Sequence, residues 1–186
     1  MKRLERTIIT LSLLFFIPCT ILSQTSFYRV INGKVALASN APLELIKARS
    51  SKVQAIIDPD RKTFRFSVPI KSFEGFNSTL QREHFNSNYM ESQRYPEAMF
   101  TGNIIEGIDL NKNGVYTVRA KGKLTVHGIS RERIIKSTMR ISNGKLYISS
   151  DFSVLLEDHN ITIPKIVNQK IAEEIQIHIE AEMAQS

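Results

Sequence analysis

EIQIHIEAEM, residues 174–183, alternates without a fault. Ile175, Ile177, Ile179, Ala181 and Met183 fall on one side, and Gln176, His178, Glu180 and Glu182 on the other. A period of two belongs to a half-buried β-strand, whose successive side chains point to opposite faces. Residues 62–71 repeat the pattern, with Phe64, Phe66, Val68 and Ile70 opposite Thr63, Arg65, Ser67 and Lys71. So do residues 115–126, where Tyr116, Val118, Ala120, Gly122, Leu124 and Val126 share a face, and residues 146–156, with Leu146, Ile148, Ser150, Phe152, Val154 and Leu156.

Turn signals separate the runs: Asp58-Pro59-Asp60, Asn111-Lys112-Asn113-Gly114 and Asn143-Gly144. The last is the strongest hairpin signal of the chain, since both residues tolerate positive φ. Together these mark eight strands, at 27–38, 44–57, 62–72, 97–108, 114–126, 131–142, 144–157 and 172–184. Several exceed the usual strand length of about 5–6 residues. Long antiparallel strands joined by short turns hide their edges best by closing on themselves. The sequence therefore predicts an all-β fold, an eight-stranded antiparallel lipocalin-like barrel. Gly102, Ala120, Gly122, Ser137 and Ser150 lie on the inward faces among large apolar residues, and such small side chains leave room for a ligand in a barrel of this size.

The N-terminus reads differently. Lys2, Arg3 and Arg6 precede an apolar run from Ile8 to Ile17, and Ser23 follows Ile21-Leu22 as a small residue at a cleavage point. This is the pattern of a secretory signal peptide over residues 1–23, which leaves residues 24–186 as one domain and predicts an exported protein, periplasmic or secreted. The sole cysteine, Cys19, lies in that leader, so disulfide bracing is excluded from the domain. The formal charge is +7, spread through the strands as Arg119, Lys121 and Lys123, or Arg131, Arg133 and Lys136. A nucleic-acid site would cluster its cations and interleave stacking aromatics, so no nucleic-acid partner is expected. A mildly basic outer face suits contact with anionic lipid headgroups at a membrane surface.

One stretch breaks the alternation. Ser78 and Gln81 have the spacing of a capping box, Glu83 falls in the first helical turn, and Leu80, Phe85 and Tyr89 form an apolar stripe. The sequence predicts a helix over 79–92, between the third and fourth strands, stopped by Tyr95-Pro96 and lying across the barrel mouth with Phe85 and Tyr89 turned inward.

The same region carries a resemblance. Arg82-Glu83-His84 in the helix, Tyr95-Pro96 followed by Phe100, and Gly122, Leu124, Thr125, His127 and Gly128 closing a strand are similar in order and spacing to the YceI family. The resemblance covers residues 27–184. It implies an exported lipocalin-like barrel whose pocket holds a long isoprenoid or similar amphiphile (a quinone or another fatty chain), with no catalytic residues and no cofactor. One departure is that residues 43–57 carry neither the histidine nor the glycine-rich turn usual there.

The residues expected at the pocket are Phe64, Phe66, Phe100, Leu124, Phe152 and Val154 in the wall, and Arg82, His84, Phe85 and Tyr89 at the mouth, Arg82 facing an anionic headgroup. Each buried methylene contributes about 0.8 kcal/mol. Micromolar affinity needs about 8 kcal/mol net of ordering costs, so the tail must exceed roughly ten carbons. Other chemistries find less support. No nucleophile elbow, His-Glu-x-x-His or phosphate loop is present. Two alternatives remain at this point: a barrel with a filled interior serving as an interaction or stress-protection module, and a haem or zinc site joining His84 to His127.

Overall fold

The wall closes because its first strand has partners on both edges. The computed structural model describes residues 27–186; the expected leader and Cys19 lie outside the described residues. The strands are β1 (Tyr28–Asn40), β2 (Leu45–Ser50), β3 (Gln54–Asp58), β4 (Thr63–Pro69), β5 (Glu97–Ile104), β6 (Gly114–Val126), β7 (Ile129–Ser142), β8 (Lys145–Leu155) and β9 (Glu174–Gln185). From β3 to β9 each strand pairs antiparallel with the next. β1 then pairs with β9, from Tyr28 opposite Gln185 to Ala38 opposite Gln176, and closes the barrel.

The stretch expected as one strand, 44–57, is two. β3 pairs with the beginning of β1 and β2 with its end, so the two share one stave of an eight-stave barrel. Ile46, Ala48 and Ser50 are buried, and so are Val53, Ala55 and Ile57. The inward positions are even in β2 and odd in β3, which no continuous strand can satisfy. Ser50 makes the break, accepting the Lys52 amide at 3.1 Å and meeting the Ser72 hydroxyl at 2.6 Å. In consequence the helix lies between the fourth and fifth strands, not the third and fourth. β1 carries a similar correction: a bulge at Ile31 shifts its register against β9 and moves the inward face from Tyr28 and Val30 to Val35.

One end of the barrel is packed solid. Tyr28, Ile141, Leu146 and Met183 are at most 3% exposed and form one cluster with Ile57 and Met139. The Asn143-Gly144 hairpin closes this floor with φ of 52° and 73°. At the other end β7 and β8 part. Their ladder stops at Ser137 opposite Ser150, while β6 stays paired with β7 to Ile129 and β9 with β8 to Leu155. Side chains bridge the gap: Arg131 Nε donates to the Asp158 carbonyl at 2.7 Å and Arg133 Nη2 to the Ser153 carbonyl at 2.8 Å.

The helix α1 (Thr79–His84) continues through a π-turn over Phe85–Tyr89. Ser78 Oγ accepts the Gln81 amide at 3.1 Å, as a capping box requires, but Gln81 Oε1 accepts the Asn77 amide rather than that of Ser78. The helix also stops short of Tyr95-Pro96. Glu91, at φ 41°, turns the chain out first. Among the described residues no helix is long and apolar enough to cross a membrane.

Candidate functional site

Above the packed floor the barrel encloses a cavity of about 550 Å³, within the range of ligand sites. Its walls follow the alternation. Phe64 and Phe66 from β4, Phe100 from β5, Leu124 from β6, and Phe152 and Val154 from β8 all line it. Phe64 anchors this group, its ring 4.9 Å from that of Phe100 and 6.2 Å from that of Phe66. Two hydroxyls inside the wall satisfy each other: Ser150 Oγ donates to Ser137 Oγ at 2.5 Å. Uncompensated polar groups would penalise an apolar guest, and this pairing removes that penalty.

The mouth is built from segments without period. Phe85 packs its ring 5.8 Å from Phe73 and 4.9 Å from Phe76. Tyr89 packs against the cluster of Ile70, Met90 and Ile161, and burial raises its phenol above the ordinary value. No residue of α1 is itself buried, so the helix is held in place by the π-turn residues after it. Glu44 ties it to the rim, accepting from Gln81 Nε2 at 3.0 Å and Asn77 Nδ2 at 3.1 Å. From the end of β1, beside the same turn, Ser39 Oγ accepts the Ala172 amide at 2.8 Å, which holds the segment of Val167, Lys170 and Ile171 against the opening.

Of the residues expected at the pocket, nine line the cavity; Arg82 does not. The Arg82 guanidinium is exposed and donates to the Lys71 carbonyl at 3.1 Å. Two of the small inward residues are also reassigned. Ala120, Ser137 and Ser150 line the cavity, whereas Gly102 and Gly122 do not. The glycines face each other across β5 and β6, and a Cβ on either would lie 2.1 Å from a carbonyl oxygen of the other strand. They are spent on strand approach, not on space.

Other contributors escaped the sequence expectation. Ile175, Ile177 and Ile179 line the cavity, although their alternation already places them inward. Phe73, Phe76, Ile161 and Ile171 line it too, but they sit in irregular segments where period offers no signal.

The histidines do not converge. His84 lies at the cavity rim. His127 donates from Nδ1 to the His159 carbonyl at 3.0 Å and has Nε2 3.3 Å from Glu91. His159, 1% exposed, has its Nδ1 3.0 Å from the Ile129 carbonyl. Burial holds it below its ordinary pKa, as a structural neutral histidine. Among the described residues no group of three or more His, Cys, Asp or Glu side chains is placed to hold a metal ion.

The YceI-like domain model matches residues 31–183. The chain belongs to the YceI-like family. Solved structures share the barrel of this YceI-like chain at low identity. A polyisoprenoid-binding domain from Saccharophagus degradans is 12% identical, with a TM-score of 0.73 over 86% of this chain and 98% of that one. Burkholderia cenocepacia BcnA is 16% identical, with a TM-score of 0.66 over 81% and 95%. The Campylobacter jejuni YceI protein is 14% identical, with a TM-score of 0.56 over 98% and 99%. No curated protein matches the sequence.

Proposed function

We propose that this chain is an exported, non-catalytic carrier that holds the tail of a long-chain isoprenoid or similar amphiphile inside the barrel. The observation that carries the reading is the apolar cavity of about 550 Å³ between a packed floor and an aromatic mouth. An interior of this volume supports carriage over a filled barrel. Each methylene moved from water into it contributes about 0.8 kcal/mol, and the wall offers the guest few polar atoms in return. Membership in the YceI-like family and the fold shared with a polyisoprenoid-binding domain support the ligand class.

Expression of the full chain, purification from the exported fraction and solvent extraction for mass spectrometry test the reading. A stoichiometric isoprenoid, quinone or fatty amide is the expected result. A clean protein that also fails to take up added prenyl lipids would overturn it, and an immature chain confined to the cytoplasm would overturn export. Ala120→Phe, which projects a ring into the cavity, is expected to lower lipid content while leaving the barrel folded.

A further inference from the structure

Three large aliphatic side chains stand in water around the mouth. Leu80 is 59% exposed, Leu43 67% and Ile166 91%. They come from three separate segments that meet at the opening. Leu80 itself lines it. Leu43 precedes the lining residue Glu44, and its amide donates to the Gln169 carbonyl at 2.9 Å. Ile166 stands in the 3₁₀ turn Lys165–Val167, whose last residue lines the opening. Other exposed aliphatics, such as Ile31, Val115 and Ile134, are scattered over the outer faces of strands.

Charge accompanies the aliphatics. The rim segments carry the cations Arg82, Lys165 and Lys170 and the carboxylates Glu44 and Glu83. Glu44 is already engaged by the amides of Asn77 and Gln81. Lys165 flanks Ile166 directly. Aliphatics that project beside lysines suit the interface of a bilayer, where the apolar groups enter the acyl boundary and the ammonium groups meet anionic headgroups. A second copy of the same rim would bring the same excess of cations over carboxylates and no surplus of negative charge to meet it. An occupant that supplies both apolar depth and negative charge fits better.

We propose that the mouth is a bilayer-docking surface for anionic membranes, with Leu43, Leu80 and Ile166 inserting and Lys165 contacting headgroups, so that a lipid tail passes from the membrane into the cavity without crossing water. The inference rests on the carriage reading.

Flotation of the exported protein with vesicles tests it, using equal parts phosphatidylglycerol and phosphatidylcholine against phosphatidylcholine alone. Leu43→Ser combined with Ile166→Ser alters only exposed side chains outside the cavity lining, so the fold is kept. The wild type is expected to float with the anionic vesicles and the double variant about tenfold less, a loss modest for two inserted aliphatics. Lys165→Gln is expected to lose about fivefold on anionic vesicles and nothing on neutral ones. A wild type that stays with neither vesicle, or a double variant that floats as well as the wild type, would overturn docking. So would a dimer in light scattering that the double variant abolishes, since that assigns the rim to self-association. Extraction of the same samples separates the two claims. Retained lipid without vesicle binding in the wild type removes docking and leaves carriage, whereas lipid in none of them removes carriage.

Discussion

Ser137 and Ser150 meet hydroxyl to hydroxyl at 2.5 Å, both 8% exposed, on the last rung that joins β7 to β8. Each is the other's partner inside an apolar wall. Removing one strands the other, and an unsatisfied buried hydroxyl costs about 1–3 kcal/mol. Ser150→Ala is therefore expected to destabilise by about 1–2 kcal/mol. Ser137→Ala combined with Ser150→Ala removes both polar groups, so its cost should fall clearly below the sum of the single changes. Urea denaturation of the three variants measures this. Strict additivity would mean that the pair is not coupled.

A different contact sets the distance between β5 and β6. Gly102 and Gly122 are opposite each other, and a methyl group on Gly122 would sit 2.1 Å from the Thr101 carbonyl oxygen. That obstacle is backbone, so the strands themselves must move. Gly122→Ala is expected to cost about 3 kcal/mol, as overpacking does. Gly144→Ala makes the control: its Cβ would have no atom within 4 Å, and only the left-handed φ of 73° opposes it, a strain of about 1–2 kcal/mol. Equal denaturation midpoints for the two variants would refute the close-approach account.

The barrel was legible because its strands are amphipathic and their period survives any tertiary context. β6 and β9 follow the sequence pattern residue for residue. Legibility failed where register changes. Ile31 at the bulge and Ser50 at the break between β2 and β3 each move the inward face by one residue, and residues 44–57, mixed polar and apolar throughout, hold neither glycine nor proline to mark where the ladder slips. The site divided the same way. Phe64, Phe66 and Phe100 were readable because a strand fixes where they point. Phe73 and Phe76 were not, since their direction depends on Phe85, which arrives from another segment. Arg82 stands outside the lining because a helix can turn a long cation back to the chain, here to the Lys71 carbonyl, as readily as toward a mouth.

Two histidines make stability depend on pH in opposite senses. Burial, the dominant cause, holds His159 below its ordinary 6.5, against the opposing pull of the Ile129 and Val126 carbonyls and Asp158; Arg131 adds to the lowering. The fold keeps His159 neutral while the unfolded chain takes up a proton. Its contribution is thus present above about pH 6.5 and is lost as pH falls toward the depressed value. The hydrogen bond to Asp151 raises His178 above 6.5, so its stabilisation is present below about pH 6.5 and is lost as pH rises through the raised value. His178 is exposed and screened, so its effect is the weaker. The melting temperature is expected to drop between about pH 7.5 and 5. His159→Gln should lower it at the upper pH and flatten the slope, and His178→Asn should steepen it. An unchanged slope in His159→Gln would assign the acid sensitivity elsewhere.

At the mouth, α1 buries none of its own residues, so its hold on the barrel depends on Phe85, packed against Phe73 and Phe76, and on Tyr89 over Ile70 and Ile161. Phe85 and Tyr89 also line the cavity, so the contacts that dock the helix are the ones a departing tail must pass. Aromatic pairs contribute about 0.5–1.5 kcal/mol beyond area burial. Losing the two pairs at Phe85 should speed opening by about tenfold. Phe85→Ala combined with Tyr89→Ala is therefore expected to release a bound fluorescent prenyl lipid to acceptor vesicles at least about ten times faster. The barrel should stay intact, because the floor of Tyr28, Leu146 and Met183 lies at the far end. Circular dichroism checks that the strands persist. Val115→Ala, which removes only an exposed side chain on the outer face of β6, away from the mouth, should leave the release rate nearly unchanged. If the double variant releases lipid no faster than the wild type, the helix is a fixed plug and the tail leaves by another route, with the parting of β7 and β8 beyond Ser137 the next place to look.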